Sequence, residues 1–203
     1  KMGKDNQDTL KPSALLKRNF PFEPTSGQMD FFMHMDGFLT LKSAGSKTFL
    51  LRGYAGTGKT SIIGALVNAL PRLQKLSVLL APTGRAAKVM SAYSGRKALT
   101  IHKKIYRKKS AASIQMDFEL GDNIHENTLF IIDEASMISN EGISMFSNGL
   151  LADLLQYVQS GENCSIMFVG DIAQLPPVGL EESPALIPAY LSDVFGLQVM
   201  HYE

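Results

Sequence analysis

The chain has 203 residues and is 45% hydrophobic, enough for one core of ordinary size. Twenty Lys and Arg against 19 Asp and Glu leave a formal charge of +1. No global basic field therefore announces nucleic acid, although a neutral total leaves room for a local basic patch. The single cysteine, Cys164, excludes an internal disulfide and reads as a buried thiol of a reducing compartment.

No apolar run approaches the length of a membrane span, and no charged-then-apolar leader opens the chain. The expectation is a soluble, cytoplasmic protein with no membrane partner. The polar opening KMGKDNQDTLK suggests a partly disordered arm over residues 1–22, followed by one domain from 23 to 203.

In PTSGQMDFF (24–32), Thr25 and Gln28 form a T-x-x-Q capping box for a helix that begins near residue 26. The Gln28 amide also carries the donor and acceptor that adenine needs along one edge, and the residues alone do not separate the two roles. Next comes TFLLRG (48–53), the first of four unbroken apolar runs. The others are SVLLAP (77–82), TLFIIDE (128–134) and SIMFVGD (165–171). Runs of this kind read as strands covered on both faces, as in a parallel sheet.

GYAGTGKT (53–60) follows the first strand and matches G-x-x-x-x-G-K-[ST]. Gly53, Gly56 and Gly58 let backbone N–H groups converge on phosphate oxygens. Ala55, Thr57 and Ser61 complete the loop and the helix start, whose dipole favours anions. Lys59 should reach the β- and γ-phosphates, and Thr60 should place its hydroxyl on Mg²⁺. Beyond it, TSIIGALVNAL sets Ile62, Ile63, Leu66, Val67 and Leu70 on one helical stripe.

APTGRAAK (81–88) opens a second helix that stops at Gly95. Thr83 and the N–H groups around Gly84 make a natural phosphate-oxygen site, with Arg85 adding charge. Arg85 and Lys88 read equally as a solvated face. The stretch IHKKIYRKKS concentrates Lys103, Lys104, Arg107, Lys108 and Lys109 around Tyr106. Charge with an aromatic suits a single strand, and a solvated face remains the alternative. SIQMDFEL (113–120) alternates apolar and polar residues, a strand with one wet face; residues 103–127 thus read as a small inserted β excursion.

In LFIIDEAS (129–136), Asp133 is placed to hold the Mg²⁺ hydration shell and Glu134 to orient or deprotonate the attacking water. GISMFSNGLLADLLQYVQSG (142–161) spaces its leucines as a helix. After the last strand, VGDIAQLPPVG sends Gln174 into a loop that Pro176 and Pro177 hold to one extended path. Strands alternating with helices give a doubly wound α/β sheet.

Taken in order, Gln28, GYAGTGKT, APTGRAAK, TIH (100–102), DEASM (133–137) and GDIAQLPPVG (170–179) resemble the first motor domain of a RecD-like, 5′-to-3′ superfamily 1 DNA helicase. The resemblance implies a P-loop NTPase fold, a RecA-like parallel sheet with helices on both faces and a β-hairpin excursion. It implies ATP and Mg²⁺ as cofactors and single-stranded DNA as partner. It makes Gln28 the adenine reader and gives Lys59, Glu134 and Gln174 catalytic parts, Gln174 as γ-phosphate sensor. It turns Pro82, Thr83, Gly84, Arg85, His102 and Lys103 toward DNA. It also calls for a second motor domain beyond Glu203, the source of a transition-state arginine, without which turnover should be weak. Accessory repair or recombination subunits are further candidate partners. Two rivals stand beside it: a stand-alone PhoH-like ATPase, whose motif after DEA differs from Ser136–Met137, and a nucleotide-regulated binding module without motor activity.

Overall fold

The computed structural model describes residues 11–40, 47–108, 118–140 and 149–203. Six strands form one parallel sheet in the order β3-β2-β6-β7-β1-β8. They are β1 (Lys47–Gly53), β2 (Leu76–Ala81), β3 (Ala98–Thr100), β6 (Thr128–Ile132), β7 (Ser165–Asp171) and β8 (Gln198–Tyr202). The four apolar runs supply β1, β2, β6 and β7, the middle of the sheet, where both faces are covered. Side chains one residue apart then enter two different cores. Phe49, Leu51, Leu79, Leu129, Ile131, Met167 and Val169 pack on one face. Leu50, Leu80, Phe130, Ile132, Ile166 and Phe168 pack on the other.

Helices α1 (Pro12–Asn19), α2 (Ser26–Thr40), α3 (Lys59–Ala69) and α4 (Gly84–Ser94) close the first face. The α3 stripe Ile62, Ile63, Leu66, Val67 and Leu70 is buried as its spacing requires. Helix α1 occupies part of the stretch expected as an arm. Leu15 and Leu16 sink into the same core, and the Ser13 hydroxyl donates to Asp36 of α2 at 2.7 Å. Phe31 meets Phe49 edge-on at 5.5 Å and 88°, a geometry that adds about 0.5–1.5 kcal/mol to area burial.

The second face is covered by α5 (Ile101–Ile105), α6 (Leu150–Gln159) and α7 (Pro188–Phe195). The helix expected over 142–161 is present as α6, and residues 141–148 lie outside the described residues. The excursion contains β4 (Tyr106–Lys108) and β5 (Phe118–Leu120), paired antiparallel. Residues 109–117, including Lys109 and the first part of SIQMDFEL, lie outside the described residues. No helix among the described residues is long and apolar enough to cross a membrane.

Because every pairing within the six-stranded sheet is parallel, the chain leaves β1, β2, β6 and β7 at one edge. The connection through α3 carries the chain from β1 past β7 and β6 to β2. The loops that follow β1, β6 and β7 therefore meet at the carboxyl edge, where open α/β sheets gather chemistry.

Candidate active site

Gly56 and Gly58 hold φ at +82° and +85°, values that L side chains rarely adopt, so the loop after β1 can curl around a small anion at the start of α3. Lys59 Nζ donates to the carbonyls of Gly53 at 3.0 Å and Tyr54 at 2.6 Å, and the Thr57 hydroxyl donates to Tyr54 O at 2.9 Å. The capping box is formed: Thr25 N–H donates to Gln28 Oε1 at 2.9 Å, and Gln28 N–H donates to Thr25 Oγ1 at 3.2 Å. The other end of the same amide donates from Nε2 to Thr57 O at 3.3 Å. Gln28 thus caps α2 and braces the phosphate loop at once.

After β6, Asp133 Oδ1 accepts from the Glu134 N–H at 2.8 Å, and Oδ2 accepts from the Tyr93 hydroxyl at 2.5 Å. Burial and the neighbouring Asp133 carboxylate raise the Tyr93 hydroxyl well above the usual phenol range, which keeps it a donor. Glu134 has φ +55°, a left-handed backbone that turns the chain into a single 3-10 turn, Ala135–Met137. That turn is held from two sides. Ser136 Oγ donates to Gln174 Oε1 at 2.7 Å, and Ser183 Oγ lies 2.8 Å from Ala135 O and 2.6 Å from Ile138 O.

After β7, Asp171 is buried and caps its own loop, accepting from Ala173 N–H at 2.8 Å. Its backbone carbonyl accepts from Gln174 N–H at 3.3 Å. The three loops enclose a cleft of about 330 Å³ lined by Ala55, Gly56, Gly58, Lys59, Thr60, Asp133, Glu134 and Gln174. Gly170 and Asp171 line it too. The sequence alone marks Asp171 only as the end of a strand. Gly53, Thr57, Ser61 and Gln28 are not among the lining residues, although Gly53 and Thr57 are bonded to Lys59 and Gln28. The donor set fits the implied groups: a lysine and helix-start N–H groups for anions, with hard oxygens from Thr60 and Asp133 for magnesium.

A second cavity, about 450 Å³, is lined by Thr100, His102, Lys103, Tyr106, Lys108 and Phe118. Thr100 caps α5 by accepting from Lys103 N–H at 3.2 Å, as Thr83 caps α4 by accepting from Ala86 N–H at 3.2 Å. Gly84, Arg85, His102 and Lys103 are exposed, while Pro82 and Thr83 are half-buried. Desolvation lowers the His102 pKa, which favours the neutral ring. The basic cluster is less free than its sequence suggests. Arg107 pairs with Glu119 at 3.0 Å and Asp122 at 3.4 Å, and the Tyr106 hydroxyl donates to buried Asp153 of α6 at 2.6 Å.

A family model described as an AAA domain (AAA_30) matches residues 38–197, from the end of α2 through α7. The chain belongs to that family. This AAA domain is similar to the ATP-dependent RecD2 DNA helicase of Deinococcus radiodurans, 32% identical over 136 residues, covering 66% of this chain and 17% of that protein. It is also similar to the ATP-dependent DNA helicase dda of Enterobacteria phage T4, 29% identical over 145 residues, covering 70% of this chain and 31% of that protein. Among solved structures, Bacteroides sp Pif1 in complex with ADP-AlF4 matches with a TM-score of 0.44 at 22% identity, over 78% of this chain and 35% of that one. The expected likeness to RecD-like DNA helicases is borne out by these sequence matches, and the expected parallel α/β sheet by the strand pairing. The AAA domain spans less than a third of the length of either helicase relative.

Proposed function

We propose that this chain is the ATP-binding first motor domain of a DNA helicase that couples ATP hydrolysis to movement along single-stranded DNA and to duplex unwinding. One observation carries the reading: Lys59, Thr60, Asp133, Glu134 and Gln174, from three separate loops, line a single cleft at the carboxyl edge of the sheet. On this reading the motor domain takes in helix α1 together with residues 23–203, and 103–127 form an inserted excursion.

The phosphate-loop N–H groups and Lys59 bind the triphosphate, and Lys59 exchanges its carbonyl partners at Gly53 and Tyr54 for phosphate oxygens. Gln28 reads adenine from its place against Thr57. Thr60 and Asp133 would hold Mg²⁺, which when bound neutralises phosphate charge. Glu134 orients the attacking water and takes its proton, and its left-handed backbone fixes where that carboxylate begins. Gln174 senses the γ-phosphate.

Single-stranded DNA runs past the starts of α4 and α5, where Thr83, Gly84 and Arg85 meet phosphate. His102 and Lys103 meet it beside the cavity that Tyr106 and Phe118 also line. Leu175 and Val178 stand 89% and 99% exposed on the loop that carries Gln174, and a second motor domain would cover them. Accessory repair or recombination subunits belong to the same proposal.

Glu134→Gln in the naturally encoded protein tests the catalytic part of this reading. Nucleotide binding should persist while hydrolysis falls by at least about a hundredfold. Hydrolysis at the wild-type rate would remove Glu134 from the chemistry.

A further inference from the structure

Gln174 lies on an exposed loop between a buried strand end and two prolines. Its side chain is nevertheless held. Among the described residues its amide makes one hydrogen bond, from Ser136 Oγ to Oε1 at 2.7 Å. Ser136 is only 3% exposed and sits in the one-turn helix that directly follows Glu134. A side-chain amide has an acceptor end and a donor end, and Ser136 Oγ meets the acceptor end, Oε1. That leaves the Gln174 NH₂ as the end offered to the cleft.

Phosphate oxygens only accept. An amide that presents NH₂ attracts a terminal phosphoryl group, and one that presents its carbonyl repels it. We propose that Ser136 is a positioning residue that sets the orientation of the Gln174 amide, so that the site prefers a nucleoside triphosphate over a diphosphate. The inference rests on the γ-phosphate reading of Gln174. It makes the turn after Glu134 and the loop after β7 a single unit: whatever displaces Ser136 also turns the sensor. Without the Ser136 hydroxyl, the amide rotates and offers either end.

Ser183 supplies an internal control. Its hydroxyl holds the same turn from the other side, at the carbonyls of Ala135 and Ile138, and bonds to no atom of Gln174. A purely structural part for Ser136 would make the two serines equivalent.

Calorimetric titration of the 203-residue chain with Mg²⁺ and either ADP or a non-hydrolysable ATP analogue tests this. Ser136→Ala should weaken the analogue about fivefold, the worth of one oriented hydrogen bond, and leave ADP unchanged. Gln174→Ala should lose at least as much for the analogue, and adding Ser136→Ala to it should change nothing further. Ser183→Ala should lower the unfolding midpoint while the analogue-to-ADP ratio stays at the wild-type value.

A Ser136→Ala loss that falls equally on both nucleotides, or that persists in the Gln174→Ala background, overturns the inference. A wild-type ratio in Ser136→Ala beside a lost preference in Gln174→Ala overturns this inference alone. Unchanged binding of both nucleotides by Gln174→Ala overturns the sensor reading and this inference with it.

Discussion

The Tyr93 hydroxyl donates to Asp133 Oδ2 at 2.5 Å, and so ties the last turn of α4 to the carboxylate at the end of β6. Hydrogen bonds to a charged group contribute about 1.5–3 kcal/mol, and Asp133 keeps a second donor in the Glu134 N–H. Tyr93→Phe should therefore lower the free energy of unfolding by about 1–2 kcal/mol in urea titrations. An unchanged unfolding free energy would show that the bond contributes nothing.

Glu134 holds a left-handed backbone that costs a non-glycine residue about 1–2 kcal/mol. Glu134→Gly relieves that strain and removes the carboxylate. The variant should be more stable by about 0.5–1 kcal/mol and unable to hydrolyse ATP, an exchange of stability for activity. Paired denaturation and hydrolysis assays check it, and loss of stability would remove strain from the account of this turn.

Gly58 combines φ +85° with a Cβ position 2.6 Å from Gln28 Nε2, the movable end of a flexible side chain that any larger residue would push aside. Gly58→Ala should cost about 1–2 kcal/mol from the backbone and break the bond from Gln28 to Thr57 O. The thermal shift produced by Mg²⁺ and ATP should vanish with it. A shift equal to that of the wild type would show that the loop tolerates a different path.

Desolvation, with the Lys104 charge added to it, lowers the His125 pKa, and the ring packs edge-on against Phe130 at 5.5 Å. A lowered imidazole pKa means that the folded state holds the neutral ring. The associated stability is present above the ordinary value of about 6.5 and is lost as pH falls through the lowered one. His125→Phe keeps a ring against Phe130 and removes the titration. Urea unfolding at pH 7.5 and 5.5 should show a smaller acid-side loss for the variant, and an equal loss would assign the slope to other groups.

The four core strands and the helices α3 and α4 were legible because each announces itself locally, by an unbroken apolar run, a 3.6-residue stripe or a glycine stop. The same holds for the capping box of α2, which needs only Thr25 and Gln28. Helix α1 was hidden because a single Leu15–Leu16 pair sets no period, and the tertiary contact with α2 and α3 decides its state. Strands β3 and β8 escaped because they lie at the sheet edges, where half-burial leaves mixed sequences.

At the site, the phosphate loop, Asp133 and Glu134 carried their own signals, whereas Gln174 gained its part only through the resemblance. Ser136 carried none: a serine after DEA reads as turn chemistry until Gln174 is seen beside it. The cluster around Tyr106 left a single-strand site and a solvated face both open, and the pairing of Arg107 with Glu119 and Asp122 and of Tyr106 with Asp153 is a matter of tertiary placement that the sequence does not carry. Asp171 showed its place only when the loops closed into one cleft.

The most direct test of a DNA-dependent motor is steady-state ATP hydrolysis by the full naturally encoded chain, with and without single-stranded DNA. The account predicts strong stimulation by DNA that disappears in Lys59→Ala. A rate indifferent to DNA would contradict it, and would leave a stand-alone ATPase in which Arg85, His102 and Lys103 touch no nucleic acid.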